Sequence, residues 1–425
     1  MINIFMHILM IAQYFPPDWN GCCTRAYNAA RGLILQGSRV TVITAFPHYP
    51  HGYITTSYKK RFLHFEEIDD IKVIRTWVPN LAHYPTYKRV ILYISFMFSS
   101  LLGLLYVRKV DFIFAMNPSL FSFFPAFIYR LFLRKKIIRN IDDLWPEAFY
   151  DLGIVKSSLF KRVLDFAAKM SYRFSCAITA VSEGYIQTLI TKYHIAKEKI
   201  VFIEHGVDTS KFHKLKSNYS SVNSNNKNNN NNKTIMYSGN INLGYDLETV
   251  IRAAKILEAE PVNFVIRGTG ELSDTLPELI KQYEVRNVKV RNELLPKEEL
   301  TNFLNHADIF LLPMNLQAKV MDQGLPTKLL EYQALGKPIV CISNGEAGRY
   351  ILKTQSGLVA TTNQPEELAQ LIMQLVNNCD LANKLGDNGF NNIKNNLTLE
   401  MIGKRFMDVV SKCKMPGPIT QASNQ

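Results

Sequence analysis

The chain lacks the cysteine pattern of a metal or disulfide scaffold. Its 425 residues include six cysteines, Cys22, Cys23, Cys176, Cys341, Cys379 and Cys413, with no Cys-x-x-Cys pair and no histidine at ligand spacing. Six reduced thiols are expected. No Asp-x-Asp pair occurs, so the carboxylates that would hold a diphosphate through Mg or Mn are missing, and a metal-free chemistry with no cofactor is expected. Residues 1–14 are apolar but carry no cationic leader and no small-residue cleavage site, and the run ends in Phe15-Pro16-Pro17-Asp18. That reads as a buried strand rather than a signal peptide, and a cytoplasmic chain is expected. Acids are also in short supply. Forty-nine Lys and Arg stand against 36 Asp and Glu, leaving +13, a balance that favours an anionic partner: nucleic acid, a nucleotide-like substrate or the inner membrane leaflet.

What is present is alternation. A chain this long exceeds the roughly 250–300 residues at which one hydrophobic core stops growing, so two domains are expected. Apolar strands are predicted at 7–13, 39–44, 72–77, 111–116, 136–141, 177–181 and 200–204, with helical stretches between them. After an asparagine-rich stretch at 217–233, whose composition reads as a disordered linker, the pattern restarts. Strands are predicted at 234–238, 262–267, 288–290, 308–312 and 338–342, and helices at 246–257, 272–283, 296–305, 326–335 and beyond residue 365. Such alternation implies two α/β, doubly wound, Rossmann-like halves that receive ligands at the carboxyl ends of parallel strands and enclose a cleft. The expected boundaries are 1–205 for the first domain, 206–233 for the linker, 234–398 for the second domain, and 399–416 for a final helix packing back on the first.

The positive charge is unevenly spread. Residues 84–140 hold nine Lys and Arg and one acid, Asp111. Within them, 90–107 is uncharged, bracketed by Lys88-Arg89 and Arg108-Lys109, and as a helix would cover about 27 Å. An apolar segment flanked by cations suits the surface of an anionic bilayer rather than a span across it. For 121–133 a wholly buried helix is expected.

In the second half, the segment Gln323-Gly-Leu-Pro-Thr-Lys-Leu-Leu-Glu331 sets a Gly and Pro turn before a helix whose first turn carries Thr327 and Lys328. Free amides, the positive end of the helix dipole and a lysine converge there, the composition of a phosphate site without a metal. Glu331 lies one turn on, in reach of a ribose diol. A capped surface helix accounts for the same pattern.

The run GLPTKLLEYQALGKPIV, preceded by IRGTGE and ADIFLLPM, resembles the nucleotide-binding domain of family-4 retaining glycosyltransferases of the GT-B fold. In the first half, QYFPPDWNGCCTRAYNAARGL, ITAFPHYPHG, DLWPEAFYDLG, AVSEG and HGVDTSKF resemble the subgroup that builds bacterial surface polysaccharides. The resemblance implies transfer of a hexose-type sugar, with retention, from a UDP- or GDP-type nucleotide sugar to a lipid-linked saccharide. It also implies a peripheral place on the inner face of the plasma membrane and no nucleic-acid partner. By the same resemblance the donor would be held by Gly21, Asn240, Gly268, Thr327, Lys328 and Glu331, the acceptor by Arg25 and Asp143, and the chemistry would fall to Asp143, Gln323 and Lys328. Gln323 stands where the family signature places Glu, which removes a charge that would stabilise a developing oxocarbenium ion. No Arg and Lys pair follows Ser238-Gly239-Asn240, leaving Lys328 more of the diphosphate charge. Two other readings are open: a nucleotide-sugar epimerase of the same fold, and a membrane-bound scaffold without catalysis.

Overall fold

A computed structural model describes residues 6–414 except 19, 50, 51, 55–57, 59–60, 82–85, 117–118, 152–154, 215–231, 294 and 296. Most of the asparagine-rich stretch therefore lies outside the described residues. The chain divides into two compact units, Met1–Gly206 with Leu399–Gln425, and Val207–Thr398.

The first unit is built on an eight-stranded sheet. Its strands are β1 (His7–Ile11), β2 (Arg39–Ala45), β3 (Leu63–Ile68), β4 (Ile71–Thr76), β5 (Phe112–Ala115), β6 (Lys136–Ile141), β7 (Ala177–Ala180) and β8 (Ile200–Phe202), in the order β3-β4-β2-β1-β5-β6-β7-β8. Only β3, on the edge, runs antiparallel to its neighbour. The order reverses between β1 and β5, which fixes the site-bearing crevice at their carboxyl ends. The helices are α1 (Gly21–Leu35), α2 (Thr86–Ser99), α3 (Ser119–Leu133), α4 (Glu147–Asp151), α5 (Ser158–Phe174) and α6 (Glu183–Thr191).

Alternation along the strands sorts these helices into two layers. Leu9, Ile11, Ile43, Ile113 and Ile137 pack under α2 and α3 with Leu92, Phe96 and Ala126. Ile178 and Ala180 pack with Ala168 and Tyr172 of α5 and Tyr185 and Leu189 of α6. On the opposite face, Phe114 meets Phe406 of the C-terminal helix at 5.8 Å between ring centroids.

The second unit has a six-stranded, all-parallel sheet of β9 (Lys233–Ser238), β10 (Val262–Arg267), β11 (Val288–Arg291), β12 (Ile309–Pro313), β13 (Ile339–Ile342) and β14 (Gly357–Ala360). Their order is β11-β10-β9-β12-β13-β14. The helices are α7 (Leu247–Ile256), α8 (Thr275–Gln282), α9 (Lys297–Leu304), α10 (Thr327–Ala334), α11 (Glu346–Thr354), α12 (Pro365–Val376) and α13 (Cys379–Asn396). Here the reversal falls between β9 and β12. The last helix, α14 (Leu399–Lys414), belongs to the first unit and lies on α1. A Cβ at Gly403 would meet the Gly32 carbonyl at 2.0 Å, and one at Gly32 would meet the Leu399 carbonyl at 2.6 Å. Both positions need glycine because the two backbones touch.

Two expectations are corrected. Cys176, at the start of β7, and Cys413, near the end of α14, are a disulfide pair with Cα atoms 6.0 Å apart. Their separation of 237 residues left no spacing pattern to reveal them. Helix α3 is not wholly buried. Phe123, Ala126 and Tyr129 face the core, but Phe124, Leu131 and Phe132 are exposed. Residues 90–107 form α2 and a 3₁₀ turn, Ser100–Leu105. Leu92, Phe96 and Gly103 point inward, while Ile91, Ile94, Phe98, Leu102 and Leu105 point to solvent. The segment Lys88–Leu105 is long and apolar enough to cross a membrane by composition alone. Its inner face is instead part of the domain core.

Candidate functional site

The second unit gathers its predicted residues at the reversal of strand order. β9 ends in Tyr237-Ser238, and the chain then turns at Gly239 with φ 157°. A Cβ at Gly239 would lie 2.1 Å from the Lys328 ammonium, and one at Gly268, which follows β10, would lie 1.7 Å from the Gly239 carbonyl. At Gly270 a Cβ would fall 2.6 Å from Asn240 Oδ1. Three glycines thus let two loop backbones and a lysine close on each other, bare backbone being the surface a diphosphate can approach. Lys328, in the first turn of α10, donates to the Tyr237 hydroxyl at 2.9 Å and faces the Tyr237 and Tyr245 rings at 4.4 and 3.8 Å. Burial lowers its pKa to about 7, against the upward pull of Glu331 one turn on. The ring faces stabilise the cation, and an incoming anion would stabilise it further.

Two residues absent from the sequence reading complete this region. Tyr332 stacks on Phe310 with centroids 3.9 Å apart, and its hydroxyl accepts from the Ser238 amide at 2.9 Å and donates to the Ser238 carbonyl at 2.8 Å. It pins the peptide before Gly239. Arg267, the last residue of β10, is buried beside Ser238 Oγ, and among the described residues its Nε has no hydrogen-bond partner. A cation at the carboxyl end of a central strand is the signal that could have marked it. Thr327 and Glu331 share α10 with Lys328, and Gln323 closes the 3₁₀ turn Lys319–Gln323 just before it. That turn is fixed by Gly345, where a Cβ would meet the Asp322 backbone at 2.4 Å.

In the first unit, Gly21 and Cys22 open α1, whose amide at Cys23 is capped by Asn20 Oδ1 at 2.8 Å. Cys22 Sγ lies 3.9 Å from Asp143 Oδ2 beyond β6. Burial raises the Asp143 pKa, against the Cys22 contact, and it raises the Cys22 thiol well above its usual range. The neighbouring Asp142 is pushed up to about 7 by burial, against Arg25, with Asp143 adding to the rise. Arg25 sits differently from its expected place at phosphate or acceptor. It is 1% exposed and donates to Asn140 Oδ1 at 3.0 Å, to the Ile203 carbonyl at 2.9 Å and to the Glu204 carbonyl. A guanidinium spent on internal carbonyls joins strands rather than ligands. Asp18, also missed, accepts from the His48 and Tyr49 amides at 2.9 and 2.8 Å. Gln13, two residues past β1, is fully buried, and among the described residues neither of its side-chain amide atoms is partnered. Gln13 follows β1, Cys22 opens α1 after it and Asp143 follows β6, the neighbour of β5, so all three lie on the carboxyl side of the sheet. Among the described residues no cluster of three or more His, Cys, Asp or Glu has the geometry to hold a metal ion.

Two doubly wound α/β units, each with its candidate site residues near the point where the strand order reverses, define the GT-B fold class. Residues 19–211 match the model of Glycosyltransferase Family 4 and residues 221–392 that of Glycosyl transferases group 1, so the chain carries the two domains of a glycosyltransferase. It is 26% identical over 376 residues to the Escherichia coli (strain K12) protein assigned to colanic acid biosynthesis as glycosyl transferase WcaI, covering 86% of this chain and 90% of that one. In fold it is similar to sucrose-phosphate synthase from Thermosynechococcus elongatus, with a TM-score of 0.73, 13% identity and coverage of 96% and 98%. It is also similar to Anabaena HepE solved with UDP-glucose, with a TM-score of 0.67, 15% identity and coverage of 96% and 100%.

Proposed function

We propose that this glycosyltransferase moves a hexose-type sugar, with retention, from a nucleotide diphosphate sugar to a lipid-linked saccharide. It would do so in surface polysaccharide synthesis, at the cytoplasmic face of the membrane and without a metal. The observation that carries the donor half is the Lys328 ammonium closed against Gly239 at the β9–β12 reversal. The donor diphosphate would take the place of water there. Its leaving charge would be met by Lys328, the amides at the start of α10 and Arg267, electrostatics set in place before the charge develops. Glu331 would hold the ribose and Gln323 would face the sugar. Asp143 would face the acceptor, its burial leaving it apt to take the hydroxyl proton. UDP as the nucleotide is supported by its presence in the HepE structures, and polysaccharide synthesis by the colanic acid relative.

The membrane half rests on 90–107, whose outer face is apolar between Lys88-Arg89 and Arg108-Lys109. The test is transfer of labelled sugar from UDP and GDP donors to lipid-linked acceptors, with hydrolysis followed in parallel. Lys328→Ala should lower turnover by about two to three orders, the loss typical of one transition-state donor, and EDTA should leave the rate unchanged. Full turnover in the folded variant would refute the phosphate assignment. Activity removed by EDTA and restored by Mn would refute the metal-free one. A sugar altered without transfer would indicate an epimerase.

A further inference from the structure

The apolar surface does not end at α2. Helix α5 is exposed along its first half, with Leu159 at 70%, Phe160 at 52%, Val163 at 54% and Phe166 at 64%. Residues 159, 163 and 166 fall on one face of a helix. In a water-soluble helix that face would be polar. Two aromatic contacts tie the helices of this layer together: Phe127 of α3 meets Phe174 of α5 at 5.0 Å, and Phe98 of α2 meets Phe124 of α3 at 5.9 Å. The exposed stripe of α2 and its 3₁₀ turn, Phe124, Leu131 and Phe132 of α3, and Leu159 to Phe166 of α5 therefore sit side by side on one helical layer over one face of the sheet. An apolar area of this extent marks an interaction surface.

Charge selects the occupant. Residues 88–109, 120–136 and 158–174 hold twelve Lys and Arg and a single acid, Asp165. Asp165 is half-buried and already engaged, accepting from Lys192 at 2.9 Å, from the Tyr150 hydroxyl at 3.0 Å and from the Tyr193 hydroxyl at 3.3 Å. Beside its apolar stripe α5 exposes Arg162 and Arg173, with Lys169 half-buried. A second copy of this chain docked by a two-fold axis would set these cations against themselves, because an isologous contact pairs a patch with its own image. An anionic bilayer offers both an apolar interior and neutralising headgroups.

We infer that α5 is a second membrane-docking element, forming with α2 and α3 one three-helix face that seats the first unit on anionic lipid. This rests on the membrane reading given above and extends it to residues that reading did not include.

The test uses the full chain and vesicles of phosphatidylglycerol and phosphatidylcholine, or of phosphatidylcholine alone. The variant Val163→Asp/Phe166→Asp changes only exposed side chains. It should bind anionic vesicles at least tenfold more weakly while its melting temperature and UDP binding match the parent. The variant Ile94→Asp/Phe98→Asp reports on α2 separately. Phe166→Trp supplies a direct probe, whose emission should shift to the blue on anionic vesicles and stay unshifted on neutral ones. Loss of binding in the α2 variant alone, with the emission of the Phe166→Trp variant unmoved, would overturn the inference while leaving the membrane reading intact. A parent that binds neither vesicle would overturn both. If Val163→Asp/Phe166→Asp converts a dimer to a monomer without changing vesicle binding, the face is a self-association surface and the inference fails.

Discussion

Burial among Tyr237 and Tyr245 leaves the Lys328 ammonium with a pKa of about 7, so the charge that should receive a diphosphate is itself marginal at neutral pH. The sign follows directly. Below about pH 7 the lysine is protonated and the site is ready; above it, each further unit leaves roughly a tenth as much charged lysine to bind the donor. A nucleotide sugar is the right ligand for this measurement because its diphosphate does not titrate in the range. Its affinity by calorimetry should be constant below about pH 7 and weaken about tenfold per unit above it, while Lys328→Arg, charged throughout, should flatten the profile. A parent profile flat from about pH 6 to 9 would show that Lys328 does not carry the diphosphate. The residue scale is also where the sequence hid most. The helix start that carries Thr327, Lys328 and Glu331 was legible because a Gly and Pro turn marks it. Gly239 and Tyr332 were not, since their roles come from a glycine 89 positions before the lysine it admits and a hydroxyl that holds a backbone 94 residues away. Arg25 was misleading for the same reason. Nothing local distinguishes a surface arginine at a helix start from one buried against Asn140.

At the scale of elements, periodicity served where strands are buried on both faces. β6 and β10 run over 136–141 and 262–267, the same limits that the apolar runs set. Two strands escaped. β3 alternates between half-buried and exposed residues and carries Glu66 and Glu67 on an edge, and β14 has four residues beginning at Gly357. α5 was opaque for a different reason. Its apolar residues point both inward and outward, so composition gives no clue to which of them the core uses. Contacts between elements are less legible still. The meeting of α1 and α14 depends on Gly32 and Gly403, two glycines 371 positions apart in sequence with no local turn signal to set them off. Gly403→Ala would place a methyl 2.0 Å from the Gly32 carbonyl and must push the helices apart. A cost of about 1–3 kcal/mol is expected for such overpacking. Scanning calorimetry should show a lowered transition, by roughly 2–4 °C for each kcal/mol in a unit of this size. An unchanged melting profile would mean that the helices separate without loss.

For the whole molecule, the two units differ in how the chain builds them. The second is one continuous stretch, Val207–Thr398, and every residue assigned to the donor lies within it except Gly21. The first is discontinuous. It needs α14, whose Ile402, Phe406, Val409 and Val410 are buried and whose Cys413 is paired with Cys176. A chain ending at residue 398 should therefore lose one unit and keep the other. Removing α14 uncovers the α1 face and leaves several large apolar side chains of the first unit without cover, each worth roughly 1.5–3 kcal/mol when buried, against a total stability of about 5–15 kcal/mol. The first unit should then open to limited proteolysis. The second should retain a cooperative transition that UDP raises, because its cradle of Gly239, Gly268, Arg267 and Lys328 is internal to it. The measurement is paired: fragment mapping after brief protease treatment, and a thermal scan with and without UDP. A truncated chain in which both transitions survive would show that the first unit closes its core without α14. One in which the UDP response disappears would show that the donor site needs more than the second unit supplies.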